Sequence, residues 1–349
     1  MVSAFCSNFA ILSSSLKTMK ILIIGASGFI GSFIVEEAIR RGFETWAAVR
    51  KTSSRQYLKD NRINFLELQF DNEDKLTEQL TPHQFDYIID AAGVTKCKNT
   101  DDFFRINTEG TKRIVNAILR TRMNVKKFVY LSSLSVFGAI REEEPHKDIT
   151  DNDITKPNTY YSKSKLEAEK FLSTIEGKLN YVILRPTGVY GPREKDYFLM
   201  VESIKKHFDF AVGFCKQEVT FVYVTDVVEA VFLTLDKAES GKKYFLTDGE
   251  VYESDVFSKY IKEELGNKHC LRLVVPVWMM RILCTLGNIW GKITGTVTAL
   301  NKDKFYILTQ RNWRCDISKT VEELGYQPKV KLNEGVRKTV EWYKHEGWI

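Results

Sequence analysis

The sequence predicts an α/β protein: a doubly wound parallel sheet that carries a smaller C-terminal lobe. Three observations lead there. Short apolar, β-rich runs alternate with helical segments from Lys20 onward, a glycine-rich turn joins the first run to the first helix, and the alternation fades after Arg185-Pro186. Strands covered on both faces read as continuous apolar runs, and right-handed strand–helix–strand crossovers wind them into one parallel sheet.

In order, the strands are KILIIG from Lys20, ETWAAV from Glu44, INFLEL from Ile63, YIIDAA from Tyr87, KFVYLSS from Lys127 and YVILRP from Tyr181. Helices are expected over 30–41, 73–80, 107–121 and 161–175. The segment TFVYVTDVVEAVFLTLDKA reads as one more strand and helix returning to the main unit. The main domain therefore takes 19–186 together with 221–245, and the lobe combines 187–220 with 246–349.

With 349 residues, 44% of them apolar and 28% charged, the chain can bury one large core and a satellite lobe. The formal charge of +6 is spread along the chain, which gives nucleic-acid binding no support and suits either an anionic ligand or plain solubility. The six cysteines, Cys6, Cys97, Cys215, Cys270, Cys284 and Cys315, form no CxxC pair, and free thiols in a reducing, cytoplasmic setting are expected. The five histidines show no ligand spacing, so no metal site is expected. Residues 1–18 make a poor signal peptide and read as a disordered extension or an upstream-start artefact. The longest apolar stretch, Leu271 to Ile293, is broken by Arg272, Pro276, Arg281, Asn288 and Lys292. It is too interrupted for a transmembrane segment, and a helix covering a pocket or the core is expected there.

The turn GASGFIG places Gly25, Gly28 and Gly31 between a strand and a helix, with Ser27, Phe29 and Ile30 among them. Missing Cβ atoms permit a tight turn and close approach of a pyrophosphate, to which the helix start offers N–H groups and its positive dipole end. That context points to a dinucleotide. After the second strand, where an acidic residue would suit a ribose 2′-hydroxyl, the chain has Arg50, followed by Lys51, Ser53 and Arg55. Such a loop suits a 2′-phosphate, so NADP(H) is favoured over NAD(H); a merely solvated basic loop is the other reading.

In NTYYSKSK, Tyr161 and Lys165 stand four apart and share one helix face. A phenol normally titrates near pH 10, and a neighbouring ammonium is expected to lower it so that a proton can move near neutrality. Tyr160 and Lys163 are rivals by composition, but neither forms such a pair. Upstream, Ser133 lies where a strand delivers several hydroxyls to the carboxyl edge of the sheet.

Taken together these residues are recognisable. GASGFIG, SSLSVFG, YSKSK, RPTGVYGPR and VYVTDVVEA, in that order, resemble the landmarks of the extended short-chain dehydrogenases/reductases, the NAD-dependent epimerase/dehydratase superfamily with its Rossmann-type sheet. The resemblance implies Ser133, Tyr161 and Lys165 as a catalytic triad. It also implies Ala91, Ala92 and Gly93 along the cofactor, Asn107 as a brace, and Pro186 and Thr187 near the nicotinamide. The later segments most resemble the dihydroflavonol-reductase and 3β-hydroxysteroid-dehydrogenase-like branch. Two departures are Gln69, where the family often has an adenine-facing Asp, and Asp90, where a His commonly precedes the AAG turn.

The leading expectation is reversible hydride transfer between NADP(H) and a secondary alcohol or ketone on a small-molecule substrate, bulky and apolar to suit Leu271 to Ile293. A nucleotide-sugar epimerase or dehydratase that retains NAD is the rival. A non-catalytic NAD(P)-sensing regulator is the third reading. The family analogy also implies a homodimer through helices 107–121 and 161–175.

Overall fold

The structure, a computed structural model, describes residues 18–267, 269–296, 298 and 300–349. Apart from Thr18, the expected N-terminal extension lies outside the described residues.

The chain begins with β1 (Lys20–Ile24), α1 (Phe29–Arg40), β2 (Glu44–Val49), β3 (Asn64–Glu67), α2 (Glu73–Leu80) and β4 (Tyr87–Asp90). A short turn, α3 (Asp101–Phe103), runs through a π-helical turn at Phe104–Thr108 into α4 (Glu109–Thr121), so this helical segment starts earlier than its apolar spacing suggests. Then come β5 (Lys127–Leu131), a 3₁₀ turn at Leu134–Phe137, α5 (Tyr160–Thr174), β6 (Tyr181–Pro186), β7 (Gly188–Tyr190) and α6 (Asp196–Lys205). The C-terminal part continues with β8 (Phe208–Val212), β9 (Glu218–Val219), β10 (Phe221–Tyr223), α7 (Val224–Lys237), β11 (Lys243–Leu246), β12 (Tyr252–Glu253) and α8 (Val256–Leu265). It closes with β13 (Leu271–Val275), α9 (Val277–Thr294), α10 (Lys302–Thr309), α11 (Ser318–Leu324) and α12 (Leu332–His345).

Seven strands form one parallel sheet in the order β11-β6-β5-β4-β1-β2-β3. The run in β1 is apolar at every other residue on both faces for a reason visible in the packing. Ile21 and Ile23 enter the core under α1 and α7, while Leu22 and Ile24 enter the core under α2, α4 and α5. Local chemistry sets the helix starts. Asn72 accepts the Lys75 N–H ahead of Glu73 and Asp74 in α2, and Thr159 and Ser162 form a reciprocal capping box at the start of α5.

Three sequence expectations are corrected. The strand in TFVYV returns to the main core through Val222 but not to its sheet: β10 pairs with β7 in a separate two-stranded unit, while α7 packs back on the main core. The seventh sheet strand is instead the run KYFL, paired with β6, whose three apolar residues between GKK and TDG are too few to stand out, where β3 and β4 sit in longer apolar stretches. Within the expected lobe segment 246–349, α11 returns to the main sheet, and Leu324 and Tyr326 belong to its core. Finally, among its described side chains α9 buries the narrow stripe Met280, Cys284 and Gly291, with Gly287 half-buried, whereas Trp278, Ile282, Leu286, Ile289, Trp290 and Ile293 are exposed. The two glycines allow a close approach, since a Cβ on Gly287 would lie 2.2 Å from the Leu300 carbonyl oxygen.

Candidate active site

The sheet reverses direction of growth between β1 and β4, the switch point at which the carboxyl ends of such strands leave a crevice. Gly25 turns there with φ of +78°, and a Cβ on it would meet the Ala91 carbonyl carbon and the Ala92 nitrogen at 2.7 Å. Gly31 lies against the same turn, where a Cβ would fall 2.1 Å from the Gly25 oxygen. Only glycine tolerates either position. Gly28 precedes α1 without capping its N–H groups by a side chain, so the first turn of the helix presents donors with no intrahelical acceptor. The residues present thus fit a pyrophosphate.

Gly25, Ser27, Gly28, Arg50, Ala91, Ala92 and Gly93 line one cavity of about 240 Å³. Phe29 and Ile30 do not line it: both side chains pack toward the lobe core, and Ile30 also toward the main core. Ser53 also lines the cavity and its hydroxyl accepts the Arg50 N–H, whereas Arg55 is occupied over the Phe65 ring at 4.2 Å. Sequence reasoning missed Phe70, Asp71, Arg105, Arg113 and Thr111 on the same wall. Asp71, two residues beyond Gln69, brings a carboxylate to this wall, although Arg105 already pairs with it at 3.2 Å. The only signal was the acidic cluster Asp71, Glu73 and Asp74.

Asn107 acts as a brace from the π-helical turn. Its Oδ1 accepts the Val94 N–H at 2.8 Å, and its Nδ2 donates to the Val94 carbonyl and the Ser164 hydroxyl at 3.1 and 3.0 Å. The loop after β4 is thereby tied to α5. Lys165, buried on α5, donates to the carbonyls of Leu131 at 2.7 Å and Ala92 at 3.3 Å. Below it Asp90 is fully buried, accepting the Thr111 hydroxyl at 2.9 Å and the Ala92 N–H at 3.1 Å. Burial raises the Asp90 carboxyl above its usual range against the pull of Lys165 and these donors. Burial likewise draws Lys165 down to about 8, opposed by Asp90 and Glu169.

Ser133 and Tyr161 line a second cavity of about 350 Å³ together with Thr187, whose hydroxyl bonds Thr220 at 2.8 Å; Pro186 ends β6 just before it. Desolvation pushes the Tyr161 phenol up to about 12, with the Ser133 hydroxyl acting in the other direction. The expected depression by Lys165 is therefore corrected: the lysine directs its ammonium to backbone carbonyls, and burial dominates the phenol. The rest of the wall is mainly apolar, including Phe210, Val212, Val219, Leu308 and Trp313. Among the described side chains of the segment expected to receive a bulky substrate, Arg272 alone reaches this cavity. Two wider grooves of about 640–650 Å³ flank α1, but charged side chains such as Glu36 and Arg40 line both, and none of the candidate groups does.

Two supports of α5 have no sequence signature. Asp303 reaches from α10 to accept the N–H groups of Tyr160 and Tyr161 at 2.9 and 3.2 Å, completing the exposed donors of the first turn. One turn after Lys165, buried Glu169 accepts the Ser132 hydroxyl and pairs with Arg185 through two bonds of 3.1 and 2.6 Å. Long-range partners of this kind are set by the fold, not by spacing.

A parallel sheet with a pyrophosphate-fitting turn at its switch point, and a Tyr-Lys helix beside it, defines a dinucleotide-dependent α/β enzyme of the extended short-chain dehydrogenase/reductase type. The chain belongs to the NAD dependent epimerase/dehydratase family, whose model matches residues 21–252. Among its relatives is a sterol-4-alpha-carboxylate 3-dehydrogenase, decarboxylating, of Dictyostelium discoideum, 25% identical over 90% of this chain and 98% of that protein. A UDP-glucose 4-epimerase of Vibrio cholerae is 27% identical over 68% of each chain. The solved UDP-glucose 4-epimerase of Thermotoga maritima with UDP-glucose shares the fold at a TM-score of 0.75 and 23% identity, covering 94% of this chain and 99% of that one. The dTDP-glucose 4,6-dehydratase of Bacillus anthracis in complex with NAD does so at 0.75 and 20%, covering 95% and 98%.

Proposed function

We propose that the protein interconverts a secondary alcohol and a ketone on a bulky apolar substrate, using NADP(H). The observation that carries this reading is the placement of Ser133 and Tyr161 in the wall of a largely apolar cavity, with Lys165 behind them beneath the glycine-turn cavity. The dinucleotide, when bound, supplies or accepts the hydride. Tyr161 gives the proton to the carbonyl oxygen, or takes it from the hydroxyl, while Ser133 holds that oxygen in place. Lys165, whose ammonium is anchored on the Leu131 and Ala92 carbonyls, would hold the ribose of the bound dinucleotide. Asn107 maintains the loop and helix in register. At neutral pH a phenol near 12 is protonated, which suits the reductive direction. A sterol-class substrate is consistent with the cavity and with the dehydrogenase relatives. A homodimer through α4 and α5, in a cytoplasmic setting, belongs to the same reading.

The preference for NADP(H) rests on Arg50 and Ser53 at the cavity wall, where charge-assisted bonds to a 2′-phosphate would each contribute about 1.5–3 kcal/mol. Replacing Arg50 by Ala is expected to weaken NADPH binding by roughly 10- to 150-fold and leave NADH nearly unchanged, as measured by titration of each nucleotide. Equal affinities in the parent protein would remove this preference. The nucleotide retained on purification separates the rival: tightly held NAD would favour an epimerase, and an empty site that prefers NADPH favours the reductase.

A further inference from the structure

Helix α9 turns more apolar surface outward than inward. At about 100° per residue its side chains fall into three faces. Met280, Cys284, Gly287 and Gly291 form the covered stripe, and Arg281, Thr285 and Asn288 form a polar stripe along one flank. The remaining arc, about 120° wide by the same geometry, carries Trp278, Ile282, Leu286, Ile289, Trp290 and Ile293, which are 49–74% exposed, with Met279 half-buried among them.

The neighbouring two-stranded ribbon exposes apolar side chains as well. Leu271 and Leu273 of β13 lie in register with Phe208 and Phe210 of β8, and all four are exposed. Ribbon and helix abut, since a Cβ on Gly213 would touch Val277 at 3.2 Å. Ten large side chains about half exposed leave on the order of 1,000 Å² of apolar surface, against roughly 300–600 Å² for the largest patch on a typical soluble monomer.

We propose that this face docks on the surface of a lipid bilayer, with α9 lying in the plane of the boundary between headgroups and acyl chains. No helix among the described residues is long and apolar enough to cross a membrane. An amphipathic helix of about 27 Å can instead lie along one. Its two tryptophans suit the headgroup level, where an indole buries its ring and keeps its N–H wet. The sequence of α9 contains two basic residues, Arg281 and Lys292, and no acidic one, a charge that an anionic leaflet attracts. Two copies meeting across a two-fold axis would bring like charges together, and a single partner helix covers a much narrower seam than this arc. The docking is independent of the reaction. One consequence does rest on the proposed apolar substrate: Phe210 and Arg272 also line the cavity that holds Tyr161, so that cavity opens beside the docked face.

The test is co-sedimentation of the full chain with vesicles of phosphatidylcholine, alone and mixed with phosphatidylglycerol. Binding is expected, stronger on the anionic vesicles, and about tenfold or more weaker in the triple variant Ile282→Ser, Leu286→Ser, Ile289→Ser. These positions are exposed, and unchanged circular dichroism and nucleotide binding confirm the fold. Brominated lipid should quench tryptophan emission, and the double variant Trp278→Phe, Trp290→Phe should lose that quenching while still sedimenting. Failure to sediment with either vesicle would overturn the proposal. So would a concentration-dependent dimer that shields both tryptophans and ignores lipid. Neither result would bear on hydride transfer, which is assayed without vesicles.

Discussion

Changing Tyr161 to Phe is expected to lower turnover by about 10²- to 10⁴-fold, the contribution of a positioned proton donor, while nucleotide affinity stays within about twofold of the parent. The phenyl ring keeps the cavity wall and deletes one oxygen beside Ser133, so the effect should fall on kcat and not on binding. Single-turnover measurement with preloaded reduced nucleotide reads it. Unchanged turnover would remove the catalytic assignment and favour a nucleotide sensor. The pH profile gives a second view of the same site. Lys165 is held near 8, below the usual lysine value of 10.5, chiefly by desolvation. Its positive charge is present below that pH and lost above it, so kcat/KM should fall on the alkaline side with an apparent pKa near 8. Asp90 opposes this shift, and Asp90→Asn should move the fall to lower pH. A profile flat to high alkalinity would contradict both statements.

The second large effect is on stability. Glu169 and Arg185 have side chains only 1% and 4% exposed, and the pair also holds the Ser132 hydroxyl at the end of β5. Removing one partner of a buried pair costs about 3–5 kcal/mol, because the other charge stays behind. For Glu169→Ala the lower end of that range applies, since Arg185 keeps Asp151 at 3.3 Å and the faces of Phe137 and Phe245. Urea unfolding should show the loss. The double variant Glu169→Met, Arg185→Met should be less destabilised than either single change, because it removes both fully buried charges together; Asp151 keeps Lys319, and Lys243, which loses Glu169 at 4.0 Å, is one-third exposed. A strictly additive double variant would mean that the pair is not coupled. Activity should fall together with stability, as Glu169 lies one turn from Lys165 on the same helix.

Much of this molecule is legible in one dimension because its signals are local. A glycine turn between strand and helix, continuous apolar runs and a Tyr-Lys spacing of four each follow from backbone geometry within a few residues. For that reason α2 spans the expected residues, and the strands at 20, 44, 64, 87, 127 and 181 start within one residue of expectation. The short strand β11 escaped because its apolar run, YFL, is only three residues between polar flanks, and its place beside β6 depends on a partner some sixty residues earlier in the chain. Asp71 escaped for a different reason. Its carboxylate reaches the cavity wall through the path of a loop, which composition does not reveal.

By itself the sequence determined six of the seven sheet strands, the turn that fits a pyrophosphate, and the serine, tyrosine and lysine that a hydride-transfer site would use. Only the tertiary structure decided what surrounds them. It showed that burial, not the neighbouring ammonium, governs the Tyr161 phenol, that Asp90 lies beneath Lys165, and that Asp303 and Glu169 hold α5 from distant parts of the chain. It also turned the apolar face of α9 outward. The division has one physical cause: hydrogen-bond and apolar patterns repeat locally, whereas desolvation and charge depend on which distant groups the fold brings within a few ångströms.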